Sequence, residues 1–389
     1  MGIKVFGLSA DTRAYGNFSR WCEPRMVPDS QKNPEQLLEY LLRQHPLEPG
    51  TIIFPTRDAD VLFLDAFREE LRERYVLAVP ERECLVRTMD KYELVRAAAE
   101  AGVAVPRTFK IASEKDLPSV ARLVGFPCVG KPVSSAQWRV GNAWNQVGAR
   151  KAFRANNERE LQTLYQQVSQ VTPEILVQEW IPGEVEEIVV VGAYVGDDSE
   201  PLSFFTARKI VQSPKEFGTG CVVRSEHLPQ LLEPTCRMWK ALDYTGMAEV
   251  EYKRDCRTGE YKLVEINTRH WDQHQLGSAS GVNLSYCAYC HLAGLPVPSI
   301  NNPTQTATWI AEDALLLHLL AGFIGQEERI TGLRSKLSGK RMYGILDRSD
   351  PWPFLRYSLT VLLPGLARSG GKWIKKRVRV RSLRNHQYT

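Results

Sequence analysis

The 389-residue chain has no run of eighteen apolar residues, which excludes an ordinary membrane-spanning helix. It has no basic stretch followed by an apolar core near its start, so no secretory signal is read and a cytoplasmic location is expected. Its eight cysteines are scattered, which argues against a disulfide-stapled fold and for reduced thiols. There is no internal repeat and no low-complexity segment. The formal charge of +5 is too small to point to a nucleic-acid partner, and none is expected. Acid is missing locally, however: residues 366–384 hold eight Lys/Arg and no Asp or Glu. What remains is ordinary globular composition, 43% hydrophobic and 24% charged, over a length that suits two or three domains.

The pattern predicts an α/β and α+β multidomain protein. Residues 1–85 read as an N-terminal α/β domain with a parallel sheet. Strands are expected over Ile3–Leu8, Thr51–Pro55 and Tyr75–Val79, with helices over Pro34–Arg43 and Asp58–Arg74. Asp90 with Glu93 three residues later predicts a capping box, opening a helix that stops at Gly102. Residues 86–304 form the next domain. After it, 305–389 read as a helical or mixed extension with a helix over Thr308–Leu320, a strand near Arg341–Leu346, a turn at Asp347–Pro353 and a basic tail. Cys287-Ala-Tyr-Cys290-His291 matches a haem-attachment pattern. With no export signal it reads instead as part of a packing helix closed by Gly294.

The chemistry concentrates in two neighbouring strands. Tyr261-Lys-Leu-Val-Glu-Ile-Asn-Thr-Arg269 alternates Val264 and Ile266 with Glu265 and Asn267, so the polar pair is expected on one face. Met247–Tyr252, joined to it by a hairpin loop, brings Glu251. Two carboxylates and an amide oxygen suit Mg²⁺, with Mn²⁺ as a substitute. Lys131 stands in the apolar strand Phe126–Val133, where a charge needs a partner.

These features resemble the ATP-grasp superfamily. The resemblance runs over about residues 86–300: the Asp90-Lys91-x-x-Leu94 opening, Ala101-Gly-Val-Ala-Val-Pro106, the lysine strand and the Glu…Glu-x-Asn set. It implies an ATP-grasp fold, with a small nucleotide-clamping subdomain at about 107–180. It implies that Lys91 and Lys131 reach phosphates, and that a flap over 134–141 covers them, here bulky with Trp138 and Trp144. Backbone groups near Glu179, Trp180 and Ile181 read the adenine, and Glu187 (or its neighbour Glu186) takes the ribose. Glu251, Glu265 and Asn267 hold the metal, and Lys209 and Arg269 act on the transferred group. Residues 214–221 form a candidate substrate or phosphate loop. Arg208, Arg224, His270 and His274 are substrate-contact candidates, although alternation along the strand turns Arg208 away from the side of Lys209.

The resemblance is to the carbamoyl-phosphate-synthase-like branch, which includes predicted carboxylate–amine ligases and the D-aspartate ligase type. It implies an ADP-forming ligase that uses ATP and Mg²⁺ to join a small-molecule carboxylate to an amine through an acyl phosphate. The alternatives are a carboxylase that activates bicarbonate and a nucleotide-binding regulator without turnover. A homodimer is compatible with this reading. Apolar residues 352–366, followed by the basic block, are expected either to pack on the core or to meet an anionic membrane or lipid-linked substrate, which would place the enzyme peripherally on a membrane.

Overall fold

A computed structural model describes residues 2–134, 137–138, 143–148, 150–298, 305–323 and 330–367. The chain divides into two compact units, Met1–Tyr40 with Tyr343–Thr389, and Leu41–Met342. In the first unit, strands β1 (Phe6–Ser9) and β2 (Glu23–Met26) pair in parallel. Asp350 accepts from Ser19 Oγ (2.7 Å) and from the Arg20 backbone N–H (3.0 Å), tying the two sequence segments of this unit together. Residues 34–44 are helical as expected, but the last turn, Tyr40–Gln44, is wound as a π-helix. The basic block from residue 368 onward lies outside the described residues.

The second unit begins with another short parallel pair, β3 (Ile52–Ile53) and β4 (Val76–Leu77). The parallel sheet expected over residues 1–85 is therefore two separate two-stranded sheets, one in each unit. The hydroxyl of buried Tyr75 donates to Leu41 O (2.6 Å) and accepts from Leu47 N (3.0 Å), which fixes the crossover. The expected helix over 58–74 is two helices, Asp58–Ala66 and Arg68–Arg72. Arg68 is buried and donates to Pro80 O at 2.6 Å.

Two antiparallel sheets follow. The smaller holds β5 (Thr108–Ile111), β6 (Cys128–Pro132), β7 (Phe153–Ala155) and β8 (Ile175–Glu179), in the order β5-β8-β6-β7. Helices Leu117–Val124 and Glu158–Val168 bury Leu117, Val120, Val124, Leu161 and Tyr165 in the same core as Trp138 and Phe153. The larger sheet holds β9 (Ile188–Val195), β10 (Pro201–Ser213), β11 (Thr219–Ser225), β12 (Gly246–Arg254), β13 (Tyr261–Asn267), β14 (Ala307–Ile310) and β15 (Lys340–Tyr343). Their order is β13-β12-β9-β10-β11-β14-β15.

Strand β9 shows why this sheet is buried on both faces. Val189, Val191, Ala193 and Val195 meet Leu94, Ala98, Met238 and Trp239 on one side. Tyr194 meets Phe205, Trp271 and Cys287 on the other. Between them Gly192 is needed, since a Cβ there would stand 2.7 Å from the rings of Phe205 and Trp271. The Cys-x-x-Cys-His segment is a packing helix, Leu284–Leu292, with both cysteines free and buried and Gly294 in the left-handed region at φ 64°.

One expected element changes type. Residues 307–310 form β14 rather than the start of a helix, pairing Ile310 with Val222 and Thr308 with Arg224. All four side chains are buried, and β-branched Thr308 and Ile310 suit a strand. The helix starts later, over Glu312–Phe323, with Glu312 and Asp313 at its positive end.

Candidate active site

The two antiparallel sheets of the second unit contribute to one cavity of about 580 Å³. Its floor is the β12–β13 hairpin. Cross-strand pairing sets Glu251 opposite Glu265 and Glu249 opposite Asn267. A bulge between Glu251 and Tyr252 leaves Val264 as the extra residue of β13, so Val264 faces the cavity beside Glu265 instead of sharing the buried side with Ile266. The alternation expected from the sequence is broken at that residue, while Glu265 and Asn267 keep a common face.

Three lysines from three elements enter this floor. Lys91 sits in the first turn of its helix, which Asp90 caps by accepting from the backbone N–H of Tyr92 (2.8 Å) and Glu93 (3.1 Å). Its ammonium pairs with Glu265 at 3.0 Å, and this cation holds the Glu265 carboxyl well below the usual carboxylate range despite burial. Lys209, on β10, pairs with Glu251. Burial works against its charge, but Glu251 and Glu249 outweigh that and raise its pKa.

Lys131 differs from both. It is 7% exposed, and among the described residues no carboxylate lies within ion-pair distance. Its hydrogen bond goes to Gln178 Oε1 at 2.9 Å, and Gln178 in turn donates to Thr108 Oγ1 at 2.7 Å. Burial, with Lys91 adding repulsion, pulls the Lys131 pKa down to about 7. A buried cation held by a neutral amide is costly unless a bound anion completes its surroundings.

Arg269 follows β13. It donates to Asp58 Oδ1 (2.6 Å), to the backbone oxygen of its neighbour His270 (3.1 Å) and to Asn267 Oδ1 (3.4 Å). At the opposite wall, Trp180 and Ile181 follow β8. Arg154 lies 4.5 Å and Lys253 4.9 Å from the Trp180 ring, and Phe217 meets it edge-on at 6.1 Å. Residues 215–220, the expected phosphate or substrate loop, line the same cavity. Trp138 of the expected flap lines it too, whereas 135–136 and 139–142 fall outside the described residues.

No protein-family model matches the chain. It is similar to the D-aspartate ligase of Enterococcus faecium (strain Aus0004), with 22% identity over 71% of this chain and 68% of that one. It is similar to the D-alanine–D-alanine ligase of Pseudomonas entomophila (strain L48), with 24% identity over 46% of this chain and 54% of that one. Among solved structures, N5-carboxyaminoimidazole synthetase of Staphylococcus aureus complexed with ADP matches with TM-score 0.62 and 14% identity, over 85% of this chain and 84% of that one. The chain has the ATP-grasp fold. Both named relatives are ligases, the enzyme class expected for this chain from its sequence.

Within this fold the expected site residues divide. Lys91, Lys131, Glu179, Trp180, Ile181, Lys209, Glu251, Glu265, Asn267 and Arg269 all line the cavity. The Glu179 carboxylate is occupied by Arg257 (2.9 Å), Lys262 (3.3 Å) and Arg107 (3.4 Å), so only its backbone is free to read a ligand.

The other candidates are engaged outside the cavity. Arg208 pairs with Glu226 through two bonds (2.6 and 2.8 Å) on the far side of β10, as strand alternation requires. Arg224 donates to the backbone oxygens of Ser335 (3.0 Å) and Lys336 (2.8 Å), which binds the C-terminal segment to the sheet. His270 faces Ser285 Oγ at 2.9 Å, and burial holds its pKa down at about 3. His274 faces Trp271 O at 2.6 Å and is likewise lowered by burial. Glu187 stands 3.5 Å from Arg254, and Glu186 pairs with Lys336. The acid of this stretch that lines the cavity is Glu184.

Among the lining residues that escaped the sequence reading, three hold site residues in place. Glu249 is buried, accepts from Asn267 Nδ2 at 2.8 Å, and is pushed up to about 8 by burial. Its signal was present: it precedes Glu251 by two, the same-face spacing of a strand. Asp58 and Gln178 carried no comparable signal, because their partners Arg269 and Lys131 are 211 and 47 residues away.

Proposed function

We propose that this protein is an ADP-forming carboxylate–amine ligase. Lys131 supports the reading most: a buried lysine with no carboxylate within ion-pair distance among the described residues, at the meeting of two sheets, has the surroundings of a phosphate site. Trp180 and Ile181, with the backbone beyond β8, hold the base. Lys91, Lys131 and Lys209 hold the phosphates of ATP, and Glu184, which lines the cavity where Glu186 and Glu187 do not, takes the ribose hydroxyls in their stead.

The donor set fits Mg²⁺. Glu251, Glu265 and Asn267 Oδ1 are hard oxygens on adjacent strands. Among the described residues no group of three His, Cys, Asp or Glu surrounds a point, so the set suits an ion that keeps waters and substrate phosphates rather than an all-protein cage. When bound there, the ion would neutralise phosphate charge. Glu249 holds the Asn267 amide by its nitrogen, so the oxygen, which accepts only the long 3.4 Å bond from Arg269, is turned to the site. Glu265 and Glu251 each have a lysine partner, Lys91 and Lys209, and these lysines would be at hand for the phosphates.

A carboxylate oxygen of the first substrate attacks the γ-phosphorus and ADP leaves. The amine then attacks the acyl carbon, phosphate leaves with that same oxygen, and the amine loses a proton. Arg269, steered by Asp58, stabilises the negative charge that develops in both steps. Positioning and exclusion of water supply the rest.

The test is a screen of carboxylate and amine pairs for ADP release, with mass spectrometry of the product. A pair that yields ADP and the condensed mass supports the ligase. ADP release that depends on bicarbonate would mark a carboxylase instead, and nucleotide binding without ADP under every pair would mark a regulator.

A further inference from the structure

Residues 352–363 of the first unit are helical, Trp352–Tyr357 as an α-helix and Ser358–Leu362 as a π-helical turn. One side is held. Pro353 is buried, Tyr357 meets the Tyr15 ring edge-on at 5.9 Å, and Arg356 lies 5.1 Å over the Phe18 ring. The other side carries Trp352, Leu355, Leu359 and Leu363, exposed by 60%, 46%, 65% and 53%. Spacings of three, four and four keep them in line, because a π turn takes more residues per turn than an α turn. Single exposed apolar residues are common, but four large ones in a row along one helix mark an interaction surface.

The sequence around the stripe has one sign of charge. From Pro351 to Thr389 there are nine Lys/Arg and no Asp or Glu. We propose that this helix docks on an anionic lipid bilayer, with Trp352 and the three leucines at the level of the headgroups and the basic residues that follow on the acidic lipids. An apolar stripe and a polybasic segment together are the two-part signal that stable peripheral binding needs, since either alone gives marginal affinity. Charge favours a bilayer over a second copy of this chain, because the copy would bring the same acid-free segment and repel it. It favours a bilayer over single-stranded nucleic acid, because between residues 366 and 384 Trp373 is the one aromatic available for stacking. The docking stands apart from the ligase chemistry and does not depend on it.

The test is co-sedimentation of the full chain with vesicles of phosphatidylcholine, alone or mixed with phosphatidylserine, beside a variant carrying Leu355→Asp, Leu359→Asp and Leu363→Asp. These side chains are exposed, so the variant keeps its fold, and equal circular dichroism and equal resistance of both proteins to limited proteolysis check that it does. The chain is expected to pellet with the mixed vesicles and not with phosphatidylcholine alone. The triple variant is expected to pellet about tenfold less or weaker still. Failure of the chain to pellet overturns the proposal. So does equal pelleting of the variant, which would leave charge alone at work. A chain that stays off vesicles but runs as a dimer which the variant breaks would assign the stripe to a second copy. Tight retention of an RNA oligonucleotide in place of vesicles would assign the basic segment to nucleic acid.

Discussion

Lys131→Met separates the functional role of this lysine from a structural one, because the two roles move stability in opposite directions. Methionine matches the stem of lysine and removes the charge. If Lys131 serves a phosphate, the variant loses charge-assisted hydrogen bonds worth about 1.5–3 kcal/mol. ADP affinity in the presence of Mg²⁺ then falls about 10- to 150-fold. The fold should meanwhile gain. The pKa of Lys131 drops from 10.5 to about 7 on folding, chiefly through burial, so the unfolded chain holds this proton more tightly than the folded one. That destabilises the native state below pH 10.5, increasingly as pH falls towards 7, and levels off below it. At pH 8 the relief amounts to a few kcal/mol, enough to raise Tm by about several degrees. Calorimetric titration with ADP and thermal unfolding of the same samples read both effects. An unchanged Kd would mean that Lys131 serves no phosphate. A Tm that falls by several degrees would mean that its bond to Gln178 is a structural necessity.

Glu265→Gln and Asn267→Ala are expected to lose ADP formation while circular dichroism and Tm stay near those of the parent; near-parental turnover in either would remove the metal assignment. Nucleotide binding should take up close to one proton at pH 8, where Lys131 is largely neutral in the free protein, and almost none at pH 6, where it is already charged; titrations in buffers of different ionisation enthalpy measure this, and equal uptake at both values would refute it. Glu249→Leu should weaken nucleotide-dependent Mg²⁺ affinity about tenfold or more, whereas Glu249→Gln, which still accepts from Asn267, should largely keep it; equal effects of the two would mean that Glu249 does not act by orienting the amide.

The strands that carry the chemistry were legible because their patterns are local. A lysine inside an apolar strand, and a carboxylate and amide two residues apart, constrain a backbone over a handful of positions. Lys131, Glu251, Glu265, Asn267 and Arg269 all reach the cavity. The bulge that turns Val264 inward leaves no such mark, since it depends on pairing with β12. Arg224 and His270 looked available because their partners, Ser335 and Ser285, lie well along the chain, whereas His274 is held by its own turn at Trp271, which the residue types alone do not mark. Residues 307–310 looked helical because an apolar helix follows directly, and pairing with β11 decides otherwise. In the first 85 residues parallel pairing was read correctly in kind, but nothing local tells that β1 pairs with Glu23–Met26, a segment that contains Pro24.

The most direct test follows the oxygen. With the carboxylate found by the screen labelled with ¹⁸O in both oxygens, and with bicarbonate absent, the enzyme is given ATP, Mg²⁺ and the amine, and the released phosphate is analysed by mass spectrometry. An acyl-phosphate ligase moves one labelled oxygen into phosphate for each amide formed. Unlabelled phosphate alongside amide formation would contradict the account.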